Sequence, residues 1–175
     1  HLRTLDDYNM SESYWDAVIN AAPLHDLGKI TVDDAILRKP SGLTDDEYEQ
    51  MKKHAANGAK IMNKVLEDVD DKEFVIVATN VAHYHHEKYN GTGYPDRLRG
   101  ENIPFEARIM ALADVFDALA SRRYYKEPMS YDEAFEIIRQ ELGHHFDPHL
   151  GRIFISLKQE IITLYESFEN TDYAR

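Results

Sequence analysis

The chain has 175 residues, of which 43% are hydrophobic, and its formal net charge is -12. This length suits a single domain with a core large enough to hold a polar site. Duplex nucleic acid and membrane surfaces are disfavoured as partners, because both are anionic and need a cationic protein face. The chain contains no cysteine, which excludes disulfides, thiolate metal sites and thiol nucleophiles.

No apolar run is long enough to cross a bilayer, and no secretory signal precedes the first helix. We therefore expect a cytoplasmic location without membrane contact. The chain opens on His1 rather than on Met. This predicts that residues 1–175 are one domain from the C-terminal part of a longer protein, with a regulatory domain upstream.

The hydrophobic periodicity is helical nearly throughout and predicts an all-α fold. Thr44 and Ser130 each precede a glutamate by three residues, which is the capping-box pattern of a helix start. Pro104 and Pro148 are each suited to the first position of a helix. Helices are expected over about 44–66, 71–86, 104–121, 130–142 and 148–168.

One long irregular segment, residues 88–103, interrupts the helical pattern. It contains Gly91, Gly93, Pro95 and Gly100, together with two tyrosines. Loops of this length in compact domains are usually functional or disordered. The aromatic residues and fixed glycines predict an ordered, functional loop.

Histidine and aspartate residues are the candidate metal ligands. Asp114 lies within a strongly apolar helix, where an unpaired carboxylate would be costly to bury, so a metal or cationic partner is expected. His54 also lies beside apolar positions. The neighbours in His25-Asp26 and in His85-His86 would diverge by about 100° on a helix, so each pair would straddle two ions or cap one from a helix end. Imidazole and carboxylate donors suit Fe, Mn, Zn, Co or Ni.

Other histidines have a plainer interpretation, because a single histidine is more often structural than a ligand. We assign four of them to the structure: His83, His144, His145 and His149. Asp147 is predicted to cap the last helix ahead of Pro148. Asp117, one turn after Asp114, is expected to form hydrogen bonds.

In this order the residues resemble the HD superfamily of metal-dependent phosphohydrolases. Residues 85–95, with the sequence HHEKYNGTGYP, resemble the signature of its HD-GYP subfamily, and the resemblance extends over residues 23–154. It implies a helical HD-domain fold and a bacterial enzyme. The implied reaction is hydrolysis of the 3′-5′ phosphodiester bonds of cyclic di-GMP, giving linear pGpG and in some members GMP.

The resemblance also implies roles for individual residues. The positions that match metal ligands are His25, Asp26, His54, His85, His86 and Asp114, with His1 as a further ligand. Together they would hold two or three divalent ions, iron or manganese foremost, and Asp26 would bridge two of them. Asp26 and Lys29 are the implied catalytic residues, since Lys29 would approach the scissile phosphate. The implied substrate-binding residues are Tyr94, Arg123 and Lys126.

The loop signature Gly91, Gly93, Tyr94 and Pro95 has two implied roles. In the family this loop shapes the substrate pocket, and it is also linked to docking of diguanylate cyclase domains. Asn90 stands where an aspartate is common, a change that removes no ligand.

Two alternative functions remain beside the hydrolysis of cyclic di-GMP. One is a non-catalytic module that binds cyclic di-GMP or docks a protein, and the other is a phosphohydrolase for a different cyclic dinucleotide. The intact ligand positions and Lys29 favour an enzyme over a receptor, which needs no bridging metal pair.

Overall fold

A computed structural model describes residue 2 and residues 8–121 and 129–172, with side chains as far as residue 167. Within these ranges the chain is helical, and the only β-type pairing is an isolated bridge between Leu142 and Phe146. The predicted all-α fold is thereby confirmed. The chain forms two compact units that divide between Ala111 and Leu112. None of the described helices combines the length and the apolar composition needed to span a membrane.

The first unit is built around three packed helices. Its core consists of small and medium apolar residues, which allow the helix backbones to approach closely. The buried core residues are Ala17, Ala21, Met62, Val77, Ala78, Val81 and Ala82. The α-helices of this unit are α1 (Glu12–Ala21), α2 (Asp34–Leu37), α3 (Asp45–Val65), α4 (Lys72–Tyr84) and the first part of α5 (Phe105–Ala120). Short 3-10 turns occupy Ala22–Leu24, Leu27–Thr31 and Gly100–Asn102.

The capping box at the start of α3 is confirmed. The Thr44 hydroxyl accepts the Glu47 backbone N–H at 3.3 Å, and the Glu47 carboxylate accepts the Thr44 N–H at 2.7 Å. Such a cap contributes about 1 kcal/mol to helix stability. Helix α4 ends at Tyr84, two residues earlier than predicted, so His85 and His86 lie just past its last turn.

The second unit contains the rest of α5, α6 (Tyr131–Gln140), α7 (Pro148–Ser156) and α8 (Lys158–Asp172). Three phenylalanine rings form its centre, with centroids 4.8 Å apart for Phe116 and Phe135 and 5.3 Å apart for Phe116 and Phe154. The capping box at Ser130 and the Asp147 cap of α7 are both confirmed.

Two predicted helix limits are wrong, one at the start of α5 in the first unit and one in the second unit. Helix α5 begins at Phe105, and Pro104 instead precedes it and accepts N–H bonds from Ala107 and Arg108. The predicted helix over 148–168 is two helices, broken at Leu157. Neither glycine nor proline lies at this break, and the hydrophobic pattern continues through it. The sequence therefore did not indicate two helices.

Candidate metal centre and the adjoining loop

Four of the predicted ligands lie together in the first unit. Asp26, His54, His85 and His86 each place one nitrogen or oxygen atom within 4.8 Å of the others. Asp26 Oδ1 is 3.5 Å from His54 Nε2 and 3.8 Å from His85 Nε2, and these two nitrogens are 3.4 Å apart. His54 and His85 are each only 1% exposed. Imidazole and carboxylate donors at this spacing suit a divalent transition metal.

Backbone carbonyl groups orient three of the histidine rings. The Nδ1 atom lies 2.7 Å from the Met51 oxygen in His54, 3.0 Å from the Val81 oxygen in His85 and 2.8 Å from the Ala22 oxygen in His25. A carbonyl oxygen only accepts, so Nδ1 carries the proton in these rings, and the Nε2 atoms of His54 and His85 keep their lone pairs. Burial also lowers the pKa of His54, which keeps this ring neutral. Metal-binding histidines are commonly held in this way.

The two carboxylate oxygens of Asp26 have different surroundings. Oδ2 accepts a hydrogen bond from Lys29 Nζ at 2.5 Å and lies 3.3 Å from His25 Nε2. Burial raises the pKa of Asp26, but the hydrogen bonds from His25 and Lys29 outweigh it and hold this pKa well below its ordinary value. Oδ1 is buried and has no hydrogen-bond donor among the described residues. A buried anionic oxygen without a donor is favoured by a cation beside it.

Glycine residues set the distance between the segments that carry these side chains. A Cβ atom on Gly28 would lie 1.9 Å from the His54 carbonyl oxygen and 2.6 Å from the Gly58 nitrogen. One on Gly58 would lie 3.5 Å from the Ala82 Cβ of α4. The Leu27–Thr31 turn therefore rests directly on the α3 backbone, and α3 in turn rests on α4. This contact brings Asp26 close to His54 of α3 and to the two histidines that follow α4.

The loop after α4 is ordered, as predicted, because residues next to the grouped histidines hold it in place. Glu87 is 2% exposed, and its Oε1 accepts the Asp96 backbone N–H at 2.7 Å. The Tyr94 N–H donates to the His86 carbonyl at 3.2 Å, and the two rings are 4.8 Å apart. A Cβ on Gly93 would lie 2.3 Å from the Lys88 nitrogen. Only glycine allows the loop to fold back this closely.

The beginning of the loop is a tight turn. Asn90 Oδ1 accepts hydrogen bonds from the Thr92 N–H at 3.0 Å and from the Thr92 hydroxyl at 2.7 Å. Gly91 between them has a φ of 81°, a conformation that favours glycine. An asparagine side chain therefore suffices for the turn where the family commonly has aspartate.

The other predicted site residues are placed as follows. His25 and Lys29 lie beside the four-residue group through their contacts with Asp26. Asp114 is half-buried on α5 in the second unit, and its role as a ligand stays a prediction. His1, Arg123 and Lys126 lie outside the described residues.

The hydrogen-bonding role predicted for Asp117 is confirmed. Its Oδ1 accepts from the Ser121 hydroxyl at 2.7 Å and from the Tyr165 hydroxyl at 3.0 Å. His83 lies 3.3 Å from the Asp96 carboxylate and lies outside the four-residue group.

A cavity of about 660 Å³ lies beside Asp26, His54, His85 and His86, which are called the metal group below. It is lined by residues that the sequence analysis did not identify. Tyr48 and Lys52 on α3 line it together with Tyr94 of the loop. Tyr48 and Lys52 are four residues apart and share a helix face. This spacing was the only sign of the cavity in the sequence. By itself it looks like an ordinary solvated helix surface, and its meaning depends on the loop that lies opposite.

Comparison with known proteins agrees with this geometry. A family model described as HD domain matches residues 4–150. A cyclic di-GMP phosphodiesterase of Vibrio cholerae is 40% identical over 161 residues, which cover 92% of this chain and 33% of the relative. The 3′3′-cGAMP-specific phosphodiesterase 2 of the same organism is 40% identical over 160 residues, covering 91% of this chain and 30% of the relative. The chain thus spans about a third of the length of these relatives.

A solved structure has the same fold. The crystal structure of a cyclic GMP-AMP-specific phosphodiesterase from Vibrio cholerae superposes with a TM-score of 0.59. The alignment covers 90% of this chain and 40% of that one, at 20% sequence identity. At this identity the likeness establishes the helical architecture alone.

Proposed function

The chain belongs to the HD domain family, and we propose that it is a metal-dependent phosphodiesterase that hydrolyses cyclic di-GMP in the cytoplasm. The observation that carries this proposal is the convergence of Asp26, His54, His85 and His86 within 4.8 Å beside Lys29. The family match spans the boundary between the two compact units, which supports one functional domain over residues 1–175.

The residues fit divalent metal ions. Asp26 Oδ1 is buried without a hydrogen-bond donor among the described residues and faces two histidine nitrogens that keep their lone pairs. We propose that two or three ions bind here, iron or manganese foremost, with zinc, cobalt and nickel also accepted by this donor set. The proposed ligands are His25, Asp26, His54, His85, His86, Asp114 and His1. Such ions would ionise water near neutral pH and offset negative charge on phosphate.

The protein's own groups have separate tasks in this reaction. The Asp26 carboxylate supplies a fixed negative charge, because its low pKa keeps it ionised. Lys29 is half-exposed, so its ammonium reaches both Asp26 and a phosphodiester that enters from solvent. There it would donate to a phosphoryl oxygen as negative charge develops in the transition state. We propose that Tyr94, Arg123 and Lys126 also bind the substrate.

The variant Lys29→Ala is expected to retain metal but to turn over cyclic di-GMP about a hundredfold more slowly, the usual effect of losing one such donor. Metal content and kcat are measured on the same preparation. Lys64→Ala, an exposed lysine at the end of α3, is the control and should behave as the unsubstituted protein. If Lys29→Ala loses its metal in parallel with its activity, Lys29 supports Asp26 rather than the substrate.

A second substrate, 3′3′-cGAMP, is favoured by one observation. One relative named for cyclic di-GMP and one named for 3′3′-cGAMP are each 40% identical to this chain. We place cyclic di-GMP first because two further relatives named for it, one of them as a probable enzyme, are 44% identical to this chain. The products proposed are pGpG and, after a second cleavage, GMP.

The test is elemental analysis of protein purified without oxygen, with turnover of both dinucleotides followed by chromatography on the same sample. Two or more metal equivalents with hydrolysis of cyclic di-GMP would support the proposal. If 3′3′-cGAMP is hydrolysed faster than cyclic di-GMP, the proposed substrate would become 3′3′-cGAMP. If the protein binds metal and nucleotide but does not hydrolyse the nucleotide, we would propose a receptor in place of an enzyme.

We propose two protein partners as well. A diguanylate cyclase domain would dock on the loop of Gly91, Gly93, Tyr94 and Pro95, and a regulatory domain upstream would control the activity. The close packing of Gly93 on the backbone of Glu87 and Lys88 supports a surface of fixed shape for docking.

A further inference from the structure

The cavity beside the metal group has a charge opposite to that of the whole chain. The chain carries 20 lysine and arginine residues against 32 aspartate and glutamate residues. The cavity lining instead has four cationic side chains and a single carboxylate, those of Lys52, Lys53, Lys88, Arg97 and Glu49. A local excess of positive charge on an acidic protein concentrates anionic ligands. With a volume of about 660 Å³, the cavity is in the range that binds small molecules.

Lys52 is the cation whose position is best defined. Its Nζ lies 5.3 Å from the Tyr48 ring centroid and 5.8 Å from the Tyr94 ring centroid. Both distances are in the range of a cation–π contact, which limits the freedom of the side chain. Its side chain is 24% exposed, and it pairs at 2.5 Å with Glu49, which is 66% exposed. An ion pair to so exposed a carboxylate is weak and is readily exchanged for a phosphate.

Tyr94 lines the cavity and also contacts the histidines of the metal group. Its ring centroid is 4.8 Å from that of His86 and 6.4 Å from that of His54. It also lies 6.5 Å from the Tyr48 ring, which lines the cavity. A ligand held at the metal group by one phosphate can therefore continue past Tyr94 into the cavity.

Resting on the function proposed above, we propose that this cavity binds the second nucleotide of the cyclic dinucleotide. Lys52 donates to the phosphate that is not being cleaved, and the Tyr48 ring packs against the adjoining purine base. A cyclic dinucleotide has two phosphates in one ring and a purine beside each. Its second half therefore needs both a cation and an aromatic face, and Lys52 and Tyr48 provide them side by side. This makes Lys52 a residue that selects cyclic dinucleotides over simple phosphodiesters.

The test compares two substrates on one variant. Lys52→Met keeps most of the apolar stem and removes the charge. It is expected to raise KM for cyclic di-GMP, and Kd for its hydrolysis-resistant phosphorothioate analogue, by about tenfold or more, the effect of losing a hydrogen bond to a charged group. Hydrolysis of bis(p-nitrophenyl) phosphate, which has one phosphate and needs only the metal group, should not change. Lys52→Arg should restore most of the affinity.

Lys60→Met is the matched control, because Lys60 is exposed on the same helix and does not line the cavity. If KM and Kd for Lys52→Met equal those of this control, the assignment of Lys52 is overturned while the proposed function stands. An equal loss on both substrates would also overturn it, because Lys52 would then support the metal group. If the unsubstituted protein neither binds nor cleaves cyclic di-GMP, the proposed function and this inference fail together. Thermal unfolding checks that each variant is folded.

Discussion

Replacement of Asp26 by alanine is expected to remove bound metal and to reduce phosphodiester hydrolysis by at least about a thousandfold, or roughly 4 kcal/mol of transition-state stabilisation. Asp26 supplies the only carboxylate of the four-residue group. Its buried Oδ1 faces His54 and His85, and its Oδ2 holds Lys29. The change therefore removes a ligand, the negative charge that offsets the ions, and the anchor of Lys29. Metal equivalents and turnover of bis(p-nitrophenyl) phosphate measure the effect.

Asp34→Ala is the control for this experiment. Asp34 lies on α2, with its side chain 78% exposed and paired only loosely with Arg38 at 3.8 Å. Its removal should leave metal content and turnover unchanged, because exposed ion pairs contribute little. Full metal content and activity in Asp26→Ala would show that Asp26 is not a metal ligand.

Gly28→Ala is expected to lower the free energy of unfolding by about 3 kcal/mol, at the upper end of the usual cost of overpacking. The added Cβ would meet the His54 carbonyl oxygen at 1.9 Å and the Gly58 nitrogen at 2.6 Å. These are main-chain atoms of α3, so relief requires the turn to move away from the helix rather than a side chain to rotate. Urea denaturation followed by circular dichroism measures the change. Metal affinity should also fall, because Asp26 moves with the turn.

Gly42→Ala provides the comparison, since a Cβ there would have no neighbour within 4 Å. Its free energy of unfolding should stay within about 0.5 kcal/mol of the unsubstituted protein. If Gly28→Ala is as stable as Gly42→Ala, the contact between the turn and α3 does not fix the position of Asp26.

Local signals in the sequence predicted local structure well. Thr44 and Ser130 marked helix starts that the structure confirms, because a capping box needs only residues three apart. The break at Leu157 had no such signal, because neither glycine nor proline is present there. Helix α4 was predicted two residues too long, since the apolar pattern does not record where the last backbone hydrogen bond forms.

The sequence predicted that the four grouped residues would lie together, and it did not predict the geometry that brings them there. The order of His25, Asp26, His54, His85 and His86 follows a family signature, so their grouping could be expected. The approach of Gly28 to the α3 backbone could not, because a glycine in a sequence does not reveal its contacts. Lys52 was missed for a related reason. Its significance depends on Tyr94, which lies 42 positions away in the chain and reaches Lys52 only through the folding of the loop.

The ligands of the proposed centre are unequally shielded from solvent, and this affects how ions would enter and leave. His54 and His85 are each 1% exposed, whereas the Asp26 side chain is 31% exposed and His86 is half-buried. His54 and His85 are therefore closed to solvent, whereas water can reach Asp26 and His86. If the centre binds ions as proposed, we expect a chelator to withdraw them while the helices stay packed, because two of the ligands are accessible to water. We then expect the supply of metal in the surrounding solution to influence which ion occupies the centre, since such a chain could be emptied and refilled without unfolding.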